Sequence, residues 1–292
     1  MKSRKGKSAI SRQTYPSDLT DAQWAILEPL IPPAAPDAPH LMYERREIAN
    51  AMLYVLRSGC PWRMLPHDLP AWDTVYWYFR RWQREGVWEQ ILHALRKQVR
   101  IQHDRAPEPS AAIIDSQSLK TSAVRGPEKG YDSGKKIWGR KRHILVDTQG
   151  NVLAVKVTAA SRSDQQGGKR MLELLVGLFP RIKLVWGDSH YAGDMILWLL
   201  QHLGWLTETI RRPVDSSSDQ GTCDLATTKK ENASSSGFRP LPRRWVVERS
   251  LAWITRWRRL CRDHEGLPAS SEAFIMLAAS RRMLSLLAPP FP

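Results

Sequence analysis

Three acidic side chains are the residues of this chain best suited to chemistry. Asp188 closes the apolar run Ile182-Lys183-Leu184-Val185-Trp186-Gly187, and Asp115 closes a similar run, Ala111-Ala112-Ile113-Ile114. Glu248 sits in the basic, Trp-containing stretch Arg243-Arg244-Trp245-Val246-Val247-Glu248-Arg249, which reads as a helix. Carboxylates are hard oxygen donors suited to Mg²⁺ or Mn²⁺, which take few protein ligands and leave positions for water and phosphate. Two such ions roughly 3.5–4 Å apart can clamp both oxygens of an in-line displacement at phosphorus. Two strand-borne aspartates and one helix-borne glutamate suffice to hold the pair. Taken singly, each has a plainer reading: an Asp after an apolar strand commonly caps a turn, and a Glu among arginines is commonly a solvated ion pair. Two further aspartates read as structural. Asp147 opens the turn Asp147-Thr148-Gln149-Gly150-Asn151, and Asp194 is the expected N-cap of a helix.

The elements that must position these groups fall into two regions. Residues 1–17 are polar and basic, an expected flexible arm. Helices are expected after Thr20, over residues 44–58, over 73–85 and over 88–102, punctuated by Pro29, Pro32-Pro33, Gly59-Cys60-Pro61 and Gly86. Four short helices, one rich in aromatic and basic residues, fit a small helix-turn-helix-like module over residues 18–106. Pro107 and Pro109 mark a boundary. From residue 111 the order is strand, hairpin, helix, strand, helix, strand and helix, a mixed α/β region running to about residue 288. That order matches an RNase H-like layout. Residues 116–141 read as a Gly- and Lys-rich surface loop, and about 214–238 as a polar insertion.

Composition narrows the partner. The chain of 292 residues carries 44 Lys and Arg against 29 Asp and Glu, a net charge of +15, so a polyanion is the expected partner. Hydrophobic residues make up 42%, enough for a substantial core. Cys60, Cys223 and Cys261 are odd in number and lack CxxC spacing, which argues against a disulfide framework or a cysteine zinc site. Neither a secretory leader nor a spanning helix is expected, and a cytoplasmic, nucleoid-associated location in a bacterium is the expectation. The densest basic run is Lys135, Lys136, Arg140, Lys141, Arg142 and His143, expected to contact phosphates. Arg80, Arg81 and Arg84 of the aromatic helix, with Arg244, Arg249 and Arg256, complete the expected DNA contacts.

Several segments also resemble one family. Trp186-Gly187-Asp188-Ser189-His190-Tyr191-Ala192-Gly193 resembles the second-aspartate motif of the DDE transposases of bacterial insertion sequences. Residues 241–253, from Leu241 to Trp253, resemble the glutamate motif of the IS-five family, most closely its shorter, two-domain members. Residues 115–121, 139–147 and 57–66 add to the likeness, which spans roughly residues 15–285. The resemblance implies that Asp115, Asp188 and Glu248 form the metal-binding triad, with two Mg²⁺ or Mn²⁺ ions per site. It also implies double-stranded DNA partners (terminal inverted repeats and a target) and a homodimer or larger assembly on DNA. The implied activity is cleavage at element ends followed by strand transfer. Alternatives are a nuclease on the same fold and a catalytically decayed DNA-binding remnant. Arg244 stands four residues before the Glu, as in the wider family. Leu241 replaces that pattern's Tyr, and Thr255 its Lys.

Overall fold

The computed structural model describes residues 12–33, 43–209 and 243–289. Residues 1–11, Cys223, Leu241 and the expected insertion at 214–238 lie outside the described residues.

The first region is helical. Helix α1 spans Asp21–Leu27 and begins with a capping box in which Thr20 and Gln23 satisfy each other's end groups. Helix α2, Arg45–Ser58, buries Ile48, Met52, Val55 and Leu56 and stops at Gly59, whose φ of 74° suits a residue without Cβ. Helices α3, Trp72–Arg84, and α4, Val87–Gln102, are joined through Gly86 at φ 69°. Residues 12–17 were expected to belong to a free arm, but they are anchored. Arg12 pairs with Asp18 and Glu47, each at 2.7 Å, and the Tyr15 hydroxyl donates to Asp68 at 3.0 Å.

A six-stranded mixed sheet follows: β1 Ala111–Lys120, β2 Gly130–Asp132, β3 Ile137–Asp147, β4 Val152–Ala159, β5 Leu184–Gly187 and β6 Leu206–Thr209. Strand β3 pairs antiparallel with β1, β2 and β4, and β5 runs parallel to both β1 and β6. The line β4-β3-β1-β5-β6, antiparallel at one end and parallel at the other, is the RNase H-like arrangement. Helix α5 is Asp164–Leu172 and α6 is Asp194–Leu203. Helix α7, Arg244–Thr255, lies against β1 and β3, and α8, Pro268–Leu287, packs on β4.

Two expectations change here. Strand β1 does not end at Asp115 but continues to Lys120 through residues expected to form a loop. Its polar half is a strand because its polar side chains find partners: Ser116 donates to Asp164 at 2.7 Å, and Gln117 accepts from Arg142 at 2.9 Å. Asp115 therefore projects from mid-strand, opposite Ile144 of β3. Asp194 is the first helical residue of α6, the cap position falling to Gly193 at φ 74°.

Helix α8 joins the two regions. Phe274 stacks against Phe79 of α3 at 4.5 Å, Arg80 donates to Ser270 at 3.0 Å, and Gln23 donates to the Ala288 carbonyl at 2.8 Å. The residues buried between α1–α4, α7, α8 and one sheet face form a single apolar cluster. A second, smaller cluster lies on the other face, between β1, β5, α5 and α6.

Candidate active site

Each carboxylate is aimed by a different element. Asp115 rises from β1 and is only 8% exposed; its Oδ1 accepts from the Ser116 amide at 2.8 Å. Asp188 directly follows β5 and caps a 3₁₀ turn over Ser189–Tyr191, accepting the His190 amide at 2.9 Å. Glu248 comes from α7, whose inner face buries Val247, Leu251 and Ile254, leaving the carboxylate 48% exposed.

Arg244 sits between these groups. One of its Nη atoms is 3.4 Å from Asp188 Oδ2, and its Nε is 3.4 Å from Glu248 Oε1. Asp115 senses all three. Burial pushes its carboxyl up to about 6; the charges of Asp188 and Glu248 add to the rise, while the Ser116 amide and Arg244 oppose it. Carboxylates are the hard oxygen donors that a divalent cation takes. Among the described residues no three acidic, His or Cys side chains are close enough to cage an ion as they stand.

Two residues near this cluster were not singled out from the sequence. Asp164, at the start of α5, accepts from Ser116 Oγ at 2.7 Å and pairs with Lys141 at 2.9 Å. Burial would raise its carboxyl, but Ser116 and Lys141 outweigh that and hold it low. The Tyr191 phenol is fully buried; burial and the charges of Asp164, Asp115 and Asp188 push its ionisation well above the ordinary range. Tyr191 stands inside the segment Asp188-Ser189-His190-Tyr191, and position within that motif was the available signal. Asp164 follows the capping Ser163, and that context signals only a helix start.

The basic run divides. Lys135 and Lys136 are exposed on the turn between β2 and β3. The others face inward, contrary to the expectation of phosphate contact. Arg140 is 1% exposed, pairs with Asp263 at 3.3 Å, and donates to the carbonyls of Glu265 and Gly266 at 2.8 Å. Arg142 is held by Gln117, and burial lowers its pKa to about 10. Lys141 is buried against Asp164. His143 lies under α5, 3.0 Å from Thr158 Oγ1, and burial lowers its pKa to about 4. A Cβ on Gly167 would fall 1.9 Å from the His143 ring, so the glycine allows this helix to close over the sheet. Along β3 these side chains alternate between the sheet's two faces, and both faces are covered.

Of the helical arginines, Arg84 is exposed, Arg81 stacks 5.2 Å from the Trp77 ring and pairs with Glu85, and Arg80 bonds Ser270. Arg249 lies between the rings of Trp245 and Trp253, 4.4 and 4.6 Å from their centroids, and Arg256 is exposed. Arg259 lies beyond the end of α7 and is buried against Glu265 at 2.7 Å. Asp147 has the structural role its turn suggests: it is buried, pairs with Arg100 at 2.7 Å and accepts the Gln149 and Asn151 amides at 2.9 Å.

Comparison with known proteins places the chain in a family. A family described as a putative transposase of the IS4/5 family matches residues 19–92, and the family described as the transposase DDE domain matches residues 106–283. The chain is 30% identical over 108 residues to the "Insertion element IS402 uncharacterized 16.2 kDa protein" of Burkholderia cepacia, a match covering 35% of this chain and 72% of that one. No solved structure matches the chain. The DDE-domain match takes in more than half of the sequence, including the whole sheet and the helix that carries Glu248, and on that ground the chain belongs to the DDE transposases of the IS4/5 type.

Proposed function

We propose that this transposase cuts DNA at the ends of its own insertion sequence and joins them to target DNA, with Asp115, Asp188 and Glu248 as the metal-holding groups. The observation that carries the reading is the bridging of Asp188 and Glu248 by Arg244, beside a buried Asp115 whose carboxyl is raised to about 6 by burial and by its acidic neighbours. Two Mg²⁺ or Mn²⁺ ions held there would supply Lewis acidity and neutralise charge building on the phosphate. The protein's share is positional. Strands β1 and β5 fix the two aspartates, α7 brings Glu248 over them, and Arg244 holds Asp188 and Glu248 in register. The 3′-hydroxyl freed at an element end is the nucleophile for the target phosphodiester, so no covalent protein intermediate is required. Exposed Lys135, Lys136, Arg84 and Arg256 are the surface groups best placed for backbone phosphates. The terminal inverted repeats are the specific partner, and pairing two ends requires at least two protomers on DNA.

The test is a strand-transfer assay with labelled element ends, Mg²⁺ or Mn²⁺ and a plasmid target, run beside Asp188→Asn. Metal-dependent joining that the substitution abolishes is expected. Cleavage without joining points to a nuclease. Binding with neither activity under both metals points to a decayed DNA-binding protein.

A further inference from the structure

Away from the carboxylates, α2, α7 and α8 surround an open cavity of about 380 Å³. Arg57, Arg256, Arg281 and Arg282 line it, together with Trp253 and Trp257, and among the described residues no Asp or Glu does. Elsewhere in this chain three buried arginines meet carboxylates: Arg100 meets Asp147, Arg140 meets Asp263, and Arg259 meets Glu265. None of the four cavity arginines has such a partner among the described residues. Arg281 donates to Ser285, at 2.6 Å. Asp147, whose charge reaches Arg282, is already engaged by Arg100.

Aromatic faces hold the guanidinium groups in place of carboxylates. Arg282 lies 3.4 Å from the centroid of Trp253, whose ring also meets Arg249, and Arg57 lies 5.7 Å from that of Trp257. Stacking fixes these planes but leaves their charge uncompensated. The crowding of like charge is visible in their ionisation. Burial, then Arg249, push Arg282 down to about 10, and burial, then Arg57, lower Arg281. A concave site with several fixed, unneutralised guanidinium forks matches a tetrahedral oxyanion, and its volume exceeds the ~30 Å³ share of one water many times over.

We propose that this cavity is a phosphate-binding site that grips the backbone of duplex DNA at a point separate from the cutting site; this rests on the DNA reading given above. Trp253 follows Glu248 by five residues, which turns it about 140° around α7 and moves it about 7.5 Å along the axis. The cavity therefore faces a different direction from the carboxylates. Binding there would anchor duplex flanking the reacting phosphodiester. A free polyphosphate shares the same chemistry, so the test separates the two sources.

The test uses the full-length protein and the double substitution Arg57→Gln, Arg256→Gln. Both side chains are exposed, and removing like charges should leave the unliganded melting temperature equal or higher. Fluorescence anisotropy with a labelled duplex across a salt series should give binding about tenfold weaker for the variant. The slope of log K against log salt should be shallower by about 1 for each phosphate that the variant no longer neutralises. The Lys, Lys variant, which keeps the charge, should retain the slope. In a second arm, pyrophosphate should raise the melting temperature of the wild type but not of the Gln, Gln variant. Pyrophosphate stabilisation abolished in the variant with unchanged duplex affinity assigns the site to a free anion and overturns the backbone grip. No difference in either arm overturns the site altogether. If the wild type binds no duplex, the functional reading fails, and the pyrophosphate arm alone decides whether the cavity holds phosphate.

Discussion

The Ser250 hydroxyl donates to the Gly150 carbonyl at 2.9 Å, tying the helix that carries Glu248 to the turn between β3 and β4. Arg249 adds a bond to the Gln149 carbonyl at 3.0 Å. The height of Glu248 above the sheet therefore depends on a close approach at Gly150. That residue has φ 88°, and a Cβ there would lie 2.8 Å from Ser250 Oγ. Gly150→Ala is expected to destabilise the fold by about 2 kcal/mol or more, through backbone strain and a broken Ser250 hydrogen bond. Strand transfer should fall more than duplex binding. Denaturant titration, anisotropy and a joining assay on the same preparation check this.

Arg244 stands in for positive charge between Asp188 and Glu248. Arg244→Gln should leave the carboxylates less compensated, so the chelated variant should melt below the chelated wild type. Added Mg²⁺ or Mn²⁺ should then raise the variant's melting temperature by more than the wild type's. Joining should drop about tenfold or more, since a group that positions two carboxylates is removed. Equal metal-induced shifts in the two proteins would show that Arg244 does not share the cation's place.

Arg140 and the pair Lys135, Lys136 should separate cleanly. Arg140→Gln breaks a buried ion pair and should cost about 3–5 kcal/mol of stability. Lys135→Gln with Lys136→Gln should leave urea unfolding unchanged within about 0.5 kcal/mol while weakening DNA binding and flattening its salt dependence. The reverse pattern would place the phosphate-binding groups deeper in β3.

Acid should weaken the fold partly through His143. Its folded pKa of about 4 lies below the ordinary value, so both folded and unfolded states are neutral above about 6.5. As pH falls from there to about 4, the unfolded chain takes up a proton that the folded one refuses, and stability drops. The full difference is on the order of 3 kcal/mol. Asp115 acts with the opposite sign: its raised carboxyl costs stability at neutral pH, and protonation below about 6 relieves that cost. Urea midpoints at pH 7 and 5, compared with those of His143→Gln, isolate the histidine. The drop between the two pH values should shrink in the variant.

Much of the fold was legible because its signals are local. Gly59 and Gly86 end or join helices where the sequence places them, and the Ile48, Met52, Val55, Leu56 stripe is buried as its spacing requires. The mixed strand-helix order after residue 111 was enough for the RNase H-like sheet. Partners distant in sequence were not legible. Gln117 and Ser116 look like loop residues until Arg142 and Asp164 are brought beside them. Arg140 looks like a surface cation until Asp263, far along the chain, closes over it. The motifs drew attention to Asp115, Asp188 and Glu248. The placement of Arg244 between two of them, and the nearness of Asp164 and Tyr191, follow only from how β1, β5, α5 and α7 cross. Trp253 and Trp257 are half-buried stacking platforms for arginines, which also depends on distant partners.

The packing of α8 on α3 and α4 bears on what a shortened gene product could do. Trp82, Trp88, Ile91 and Phe79 are covered by Phe274, Leu277 and Leu284, which lie nearly two hundred residues later in the chain. A premature stop between α4 and β1 would strip that cover and leave a wide aromatic surface open to water. Such a fragment should aggregate or be degraded rather than persist as a free-standing inhibitor of the intact enzyme.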